Sequence, residues 1–105
     1  MMIITTADKI PGITSYTVLG LAEGSVVFTK HLGRDILAML KSLIGGELRG
    51  YTQLLEESRR TAMNRMMAQA QTMNADAVIC VRYGTSAIMS TSSEVLCYGT
   101  AIAFR

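Results

Sequence analysis

The 105-residue sequence contains one proline, one histidine and two cysteines, and it has no long apolar run. Stretches such as 36–40 and 77–81 are about five residues long, whereas a membrane-spanning helix needs about 20. The N-terminal segment MMIITTADKI has no basic residue before its apolar part, so it does not have the pattern of a secretory signal. We therefore expect a cytoplasmic protein without membrane segments.

Charged residues are also scarce, at 17% of the chain, and their signs nearly balance, since 10 Lys and Arg oppose 8 Asp and Glu. The cations are scattered along the chain, whereas binding to nucleic acid through phosphate neutralisation needs a basic face. We therefore expect no nucleic-acid partner. A composition that is 50% hydrophobic predicts one globular domain over residues 1–105 and argues against a disordered tail or a two-domain enzyme.

Local metal-binding and nucleophile motifs are missing as well. Soft metals are usually bound by closely spaced Cys or His pairs, but Cys80, Cys97 and His31 are far apart in the sequence. A metal site of these three residues needs the fold to gather them, and we favour reduced core thiols and a surface histidine. The Gly45-Gly46 segment lacks the Lys-Ser or Lys-Thr of a phosphate-binding loop, and no serine lies in a Gly-x-Ser-x-Gly motif.

Strand-like patterns, rich in β-branched and aromatic residues, occupy both ends of the chain. We predict N-terminal strands over 3–6, 13–19 and 25–29, separated by Pro11-Gly12 and Glu23-Gly24. We predict a C-terminal hairpin of 77–85 and 94–104 around a polar turn at 91–93.

A helical period appears between these strands. Apolar residues from Ile36 to Ile44 recur on one face and predict a short helix that ends before Gly45. A long helix is predicted from about Tyr51 to Met73, where Asn74 provides a left-handed stop. We expect the methionines of this helix to be flexible core or interface filler. They are Met63, Met66, Met67 and Met73.

The last predicted strand has no polar face. Its odd positions are mostly small, so the long helix can approach them closely, and its even positions carry Leu96, Tyr98, Ile102 and Phe104. Leaving these four side chains in water would forgo roughly 6 to 12 kcal/mol. That is comparable with the whole stability of a small domain, about 5 to 15 kcal/mol. We therefore predict a homo-oligomer in which a neighbouring subunit covers this face.

Short motifs spread over nearly the whole chain resemble the YbjQ-like family of small bacterial and archaeal proteins, which carries a heavy-metal-binding label and no assigned function. The motifs are Arg34-Asp35-Ile36, Gly45-Gly46-Glu47-Leu48, Tyr51-Thr52, Leu54-Leu55, Arg59, Ala62, Arg65, Ala75-Asp76-Ala77-Val78, Glu94-Val95 and Tyr98-Gly99-Thr100-Ala101. The resemblance implies an α+β, dodecin-like subunit with an antiparallel sheet, assembling into a ring that in this family is a pentamer. Its label implies a divalent or heavy-metal ion. Cys80 and Cys97 stand where the family more often has small residues, so they are not an obvious part of a family metal site.

The polar residues of these motifs are the candidate ligand-binding set. They are Glu47, Tyr51, Arg59, Arg65, Glu94 and Tyr98. We favour structural roles for them, with Asp76 in the helix-to-strand turn and the arginines paired with carboxylates across a subunit seam.

The sequence thus predicts an oligomer that binds a metal ion or a small ligand at ring or subunit-seam sites. One alternative is an enzyme that uses Glu47, Arg59 and Glu94 at a seam. The other is a purely structural or adaptor ring.

Overall fold

The computed structural model describes residues 2–29, 49–89 and 92–105. These residues form four strands and one helix. In chain order they are β1 (Ile3–Ile4), β2 (Tyr16–Thr29), α1 (Arg49–Thr72), β3 (Ala77–Met89) and β4 (Ser92–Phe104). The predicted short helix over 36–44, together with His31 and Glu47, lies outside the described residues. Within those ranges, no helix is long and apolar enough to cross a membrane.

The strands form one sheet in the order β1-β3-β4-β2. The α+β class is confirmed, but the prediction of an antiparallel sheet is wrong for β1, which runs parallel to β3 and makes the sheet mixed. Strands β2 and β3 both pair antiparallel with β4. The parallel pair joins Ile3 and Ile4 to Ala77 and Val78, which are both buried. Because the paired residues are far apart in the sequence, no local sequence pattern predicts this parallel pairing.

Residues of two predicted turns lie inside strands. Glu23-Gly24 does not separate two strands, because β2 runs through it without a break. Gly24 is instead the point at which the helix lies closest to the sheet, since a Cβ there would clash with the backbone N of Met66 and lie 2.5 Å from the carbonyl O of Ala62. Ser92 and Ser93, predicted in a turn, pair with β2 inside the sheet.

The long helix is confirmed, with bounds that differ from the prediction by two residues at the start and one at the end. Its stop is also confirmed, since Asn74 has a φ of 60°. The Ala75 N–H donates to Ala70 O over 3.1 Å, and the Asn74 N–H donates to Gln71 O over 3.0 Å. These two bonds form a Schellman motif, which satisfies carbonyls that a helix end otherwise leaves unpaired.

Helix α1 covers one face of the sheet, as predicted for the odd positions of β4. Cys97 and Ala101 of β4 are fully buried there against Ala62, Met66 and Ala70 of the helix. The small strand residues let the helix backbone approach, so most of the core lies between α1 and this face.

The opposite face is covered at one end only. There Ala77, Ile79 and Ile102 form a second cluster with neighbours that include Ile10 and Phe104. Further along, we define the open sheet face by Val18, Leu21, Val27, Leu96 and Tyr98. Val18, Leu21 and Val27 have exposed fractions of 61%, 58% and 55%. A large apolar area of the sheet therefore has no cover within the described part of the chain.

Candidate functional site

A groove of about 550 Å³ runs along the β2 edge of the sheet. It lies where the helix side chains reach over the strand, and we call it the β2-edge groove. It is lined by Glu23, Gly24, Ser25, Arg65, Gln69, Glu94 and Leu96. Two of the predicted ligand-binding residues, Arg65 and Glu94, are thus brought together. Its volume lies within the range of small-molecule sites, about 300 to 1,000 Å³.

Two helix side chains hold the strand that forms the floor of this groove. Arg65 Nη1 donates to Ser25 O over 2.6 Å, and Gln69 Oε1 accepts from the Glu23 N–H over 2.6 Å. Because β2 is at the edge of the described sheet, these backbone groups have no further strand beside them within residues 2–29, 49–89 and 92–105. The two hydrogen bonds satisfy the Glu23 N–H and the Ser25 carbonyl on the open edge of β2. The bond to Ser25 also fixes the Arg65 side chain at the rim of the groove.

The charges of the groove are mixed. Glu23 and Glu94 contribute carboxylates, and Arg65 contributes a guanidinium that has N–H groups beyond the one used by Ser25. Carboxylates suit a hard cation or a cationic ligand group, and a guanidinium suits a carboxylate or a phosphate. The arrangement is therefore suited to a small polar ligand that carries groups of both signs.

Arg59 lies in a different groove. This second groove, of about 340 Å³, is lined by Glu56, Arg59, Arg60, Met63 and Tyr83. Burial raises the pKa of Tyr83, the charge of Cys97 raises it further, and the Arg59 guanidinium opposes both effects. Arg59 therefore faces Tyr83, whereas Glu94 lines the β2-edge groove. Within the described residues, Arg59 and Glu94 of the enzyme hypothesis therefore line two different grooves.

The two tyrosines of the predicted set are also placed apart. Tyr98 is on the open sheet face, where the register sets it between Glu23 of β2 and Arg82 of β3. Tyr51 is in the first turn of α1. Glu47, another residue of the predicted ligand-binding set, is not among the described residues.

Asp76 has the structural role that the sequence predicts. It lies between α1 and β3, and its Oδ2 accepts the Phe104 N–H over 2.7 Å. The Asp76 N–H donates to Ile102 O over 2.9 Å. The carboxylate thus ties the turn to the end of β4.

The two cysteines, both free thiols, lie on opposite faces of the sheet. Cys97 belongs to the cluster under α1, and Cys80 belongs to the cluster on the other side. Cys80 occupies a β-bulge between Ile79 and Arg82, with a φ of 56°. A single subunit therefore does not direct Cys80 and Cys97 at one ion. No group of three or more His, Cys, Asp or Glu side chains suitable for a metal occurs in the described ranges.

Cys97 has sulfur neighbours instead. Its Sγ lies 3.6 Å from Met66 Sδ and 4.0 Å from Met63 Sδ. Burial raises the pKa of the Cys97 thiol, because the core does not solvate a thiolate.

Sequence reasoning missed four residues of these sites. Glu23 is predicted in a turn. The alternation of side chains continues through Gly24 without a break, and this pattern would have placed Glu23 on a strand face. No sequence pattern indicates that Gln69 contacts β2. Met63 and Met66 were treated as filler, because nothing in the sequence tells which strand residue packs beneath a helix.

Comparison with known proteins finds relatives along nearly the whole chain. A UPF0145 protein of Thermotoga maritima is 52% identical over 96% of this chain and 95% of its own length. A UPF0145 protein of Shewanella frigidimarina is 50% identical over 96% of this chain and 94% of its own. The crystal structure of a DUF74-family protein of unknown function from Pediococcus pentosaceus has a TM-score of 0.69 at 18% identity, and covers 99% of this chain and 98% of that one. That likeness shows the fold.

The family profile matches residues 2–105 and has the description "Putative heavy-metal-binding". The match covers almost the whole chain, and relatives of nearly the same length share about half of its residues. The chain therefore belongs to the YbjQ family, whose relatives compared above are uncharacterised UPF0145 proteins.

Proposed function

We propose that this chain is the subunit of a homo-oligomeric, dodecin-like ring, a pentamer by resemblance to its family, which binds a small polar ligand or a metal ion at its seams. The observation that carries the proposal is the open sheet face. Val18, Leu21 and Val27 are each more than half exposed on it. Burying such a side chain contributes about 1.5 to 3 kcal/mol, so a second copy that covers this face gains substantial free energy.

The shape of the subunit supports the same proposal. Its radius of gyration is 17.1 Å and its extents are 56 × 26 × 18 Å. A compact domain of 100 residues has a radius of gyration of about 13 Å. A long sheet whose second face is covered at one end only, within the described residues, is a shape that assembly with neighbours completes.

The charges at the two sides of the open sheet face favour another copy of this chain as the occupant. Arg82 of β3 and Glu23 of β2 flank Tyr98 from opposite sides in register. When the β3 side of one subunit meets the β2 side of the next, unlike charges approach each other. A contact between two different surfaces of the same chain is of the kind that closes rings.

The β2-edge groove lies at such a seam. Because β2 is an edge strand, a neighbour that approaches this side adds side chains to the groove that already contains Arg65 and Glu94. Each ring then carries as many grooves as subunits. The two free cysteines suit a reducing compartment, and we propose the cytoplasm as the location.

Sedimentation velocity of Leu21→Lys tests the assembly. We expect wild type at micromolar concentration to sediment as an oligomer and this variant to sediment as the 11.4 kDa chain, because a lysine on the open face must be desolvated at the interface. Asn64→Lys adds the same charge at an exposed position of α1 and is expected to leave the oligomer intact. A Leu21→Lys protein that sediments like wild type would show that the open face is not the interface.

A further inference from the structure

Three sulfur atoms converge between α1 and β4, apart from the β2-edge groove. Cys97 Sγ lies 3.6 Å from Met66 Sδ and 4.0 Å from Met63 Sδ. Cys97 and Met66 are fully buried, and Met63 is half-buried at the margin of the core. We call these three residues the sulfur cluster.

The two separations from Cys97 fit a metal ion. A zinc–thiolate bond is about 2.3 Å long. An ion of similar size in the plane of three sulfurs would hold them about 4 Å apart, by the geometry of a triangle with that bond length. Both separations from Cys97 are close to this value.

The fold creates the cluster from residues that are remote in sequence. Met63 and Met66 lie one helical turn apart on α1 and therefore on the same side of the helix. Gly24, a cross-strand neighbour of Cys97, lets the helix backbone approach the sheet at Met66. The methionine sulfurs are thus held directly over the thiol.

The chemistry of the donors selects the kind of ion. Thiolate and thioether sulfurs prefer soft ions such as Cu(I), and carboxylate and carbonyl oxygens prefer hard ones. When a monovalent ion binds, Cys97 loses its proton to solvent and the new metal–sulfur bond leaves the site neutral. A divalent ion would leave one uncompensated positive charge in the core, which is costly.

One residue of the cluster, Met63, also reaches a surface groove. Met63 lines a mostly apolar groove of about 380 Å³ together with Ile4, Val81 and Tyr83. Tyr83 is the other cross-strand neighbour of Cys97 and is 46% exposed. An ion that enters this groove can contact Met63, whose Sδ lies 4.0 Å from Cys97 Sγ.

We propose that Cys97, Met63 and Met66 form a binding site for one soft monovalent cation, Cu(I) or Ag(I), inside each subunit. The site uses neither Cys80 nor His31. All three ligands come from one chain, so the proposal does not depend on assembly or on the seam grooves.

Anaerobic titration with Cu(I), in competition with a chromogenic Cu(I) chelator, tests the site. We expect wild type to retain about one equivalent per chain with three sulfur neighbours in X-ray absorption, and Cys97→Ala to lose it. Met63→Leu and Met66→Leu conserve volume, so they should keep the fold, and each should weaken Cu(I) binding at least about tenfold.

Two matched variants complete the experiment. Met67→Leu changes a partly buried methionine of the same helix, and Cys80→Ser removes the thiol on the other face. Both are expected to bind Cu(I) as wild type does. Less than about a tenth of an equivalent in wild type would overturn the proposal. Equal weakening of Cu(I) binding in Met67→Leu and Met66→Leu would also overturn it. Retention of the Cu(I) ion by Cys97→Ala would do the same. A monomer that binds one equivalent would support this site while contradicting the proposed ring.

Discussion

Gly24 is the residue on which the close packing of α1 against the sheet most depends. We expect Gly24→Ala to lower the free energy of unfolding by about 1 to 3 kcal/mol or more, measured by urea or thermal unfolding. Its new methyl group would meet helix backbone at Met66 and Ala62, and not the flexible end of a side chain.

Gly84→Ala is the matched control, because a Cβ at Gly84 has no atom within 4 Å. We expect it to change stability by no more than about 0.5 kcal/mol. Equal losses in the two variants would show that a general property of glycine in strands, and not close packing, determines the effect.

Single residues also show what the sequence could reveal. Asn74 is predicted to stop the helix because Asn readily adopts the left-handed conformation there, and its φ confirms this. Asp76 is placed in the following turn by the motif it shares with the YbjQ-like family, and its hydrogen bond to Phe104 agrees with a structural role. The contact of Cys97 with Met66 could not be predicted, since it depends on strand register and on helix position together.

At the scale of elements, α1 and β2 are connected by side chains as well as by packing. The Glu23 N–H points away from β4 and is bound by Gln69. We expect Gln69→Ala to lower the free energy of unfolding by about 0.5 to 1.5 kcal/mol and to speed hydrogen exchange at the Glu23 amide, which nuclear magnetic resonance can measure.

Gln71→Ala makes the same substitution two residues away, at an exposed position of α1. It should leave the exchange of the Glu23 amide unchanged. If both variants speed exchange equally, helix propensity and not the edge contact is responsible.

The elements themselves were partly predictable. The spacing of hydrophobic residues predicts α1, β3 and β4. Each of these elements is long, and its amphipathic or apolar pattern extends over many residues. The continuity of β2 was hidden by Gly24, which reads as a turn residue when its close contact with the helix is unknown. The parallel pairing of β1 joins residues about 74 positions apart, and no local pattern encodes it.

At the scale of the whole molecule, α1 covers one face of the sheet, and the described residues cover the other face at one end only. The prediction that α1 covers the small odd side of β4 is confirmed, and the cover of the other side is the subject of our proposal. Of the predicted ligand-binding residues, Arg65 and Glu94 line one groove, and their binding role stays a prediction. Arg59 and Tyr98 are directed elsewhere, which a list of motifs could not show.

Native mass spectrometry of the purified wild-type protein tests the central claim most directly. We expect a single assembly whose mass is a whole multiple of the 11.4 kDa chain, five chains by resemblance to the family, with a retained small molecule or metal ion as additional mass. A dominant species with the mass of one chain at micromolar concentration would contradict the claim that neighbouring subunits cover the open sheet face.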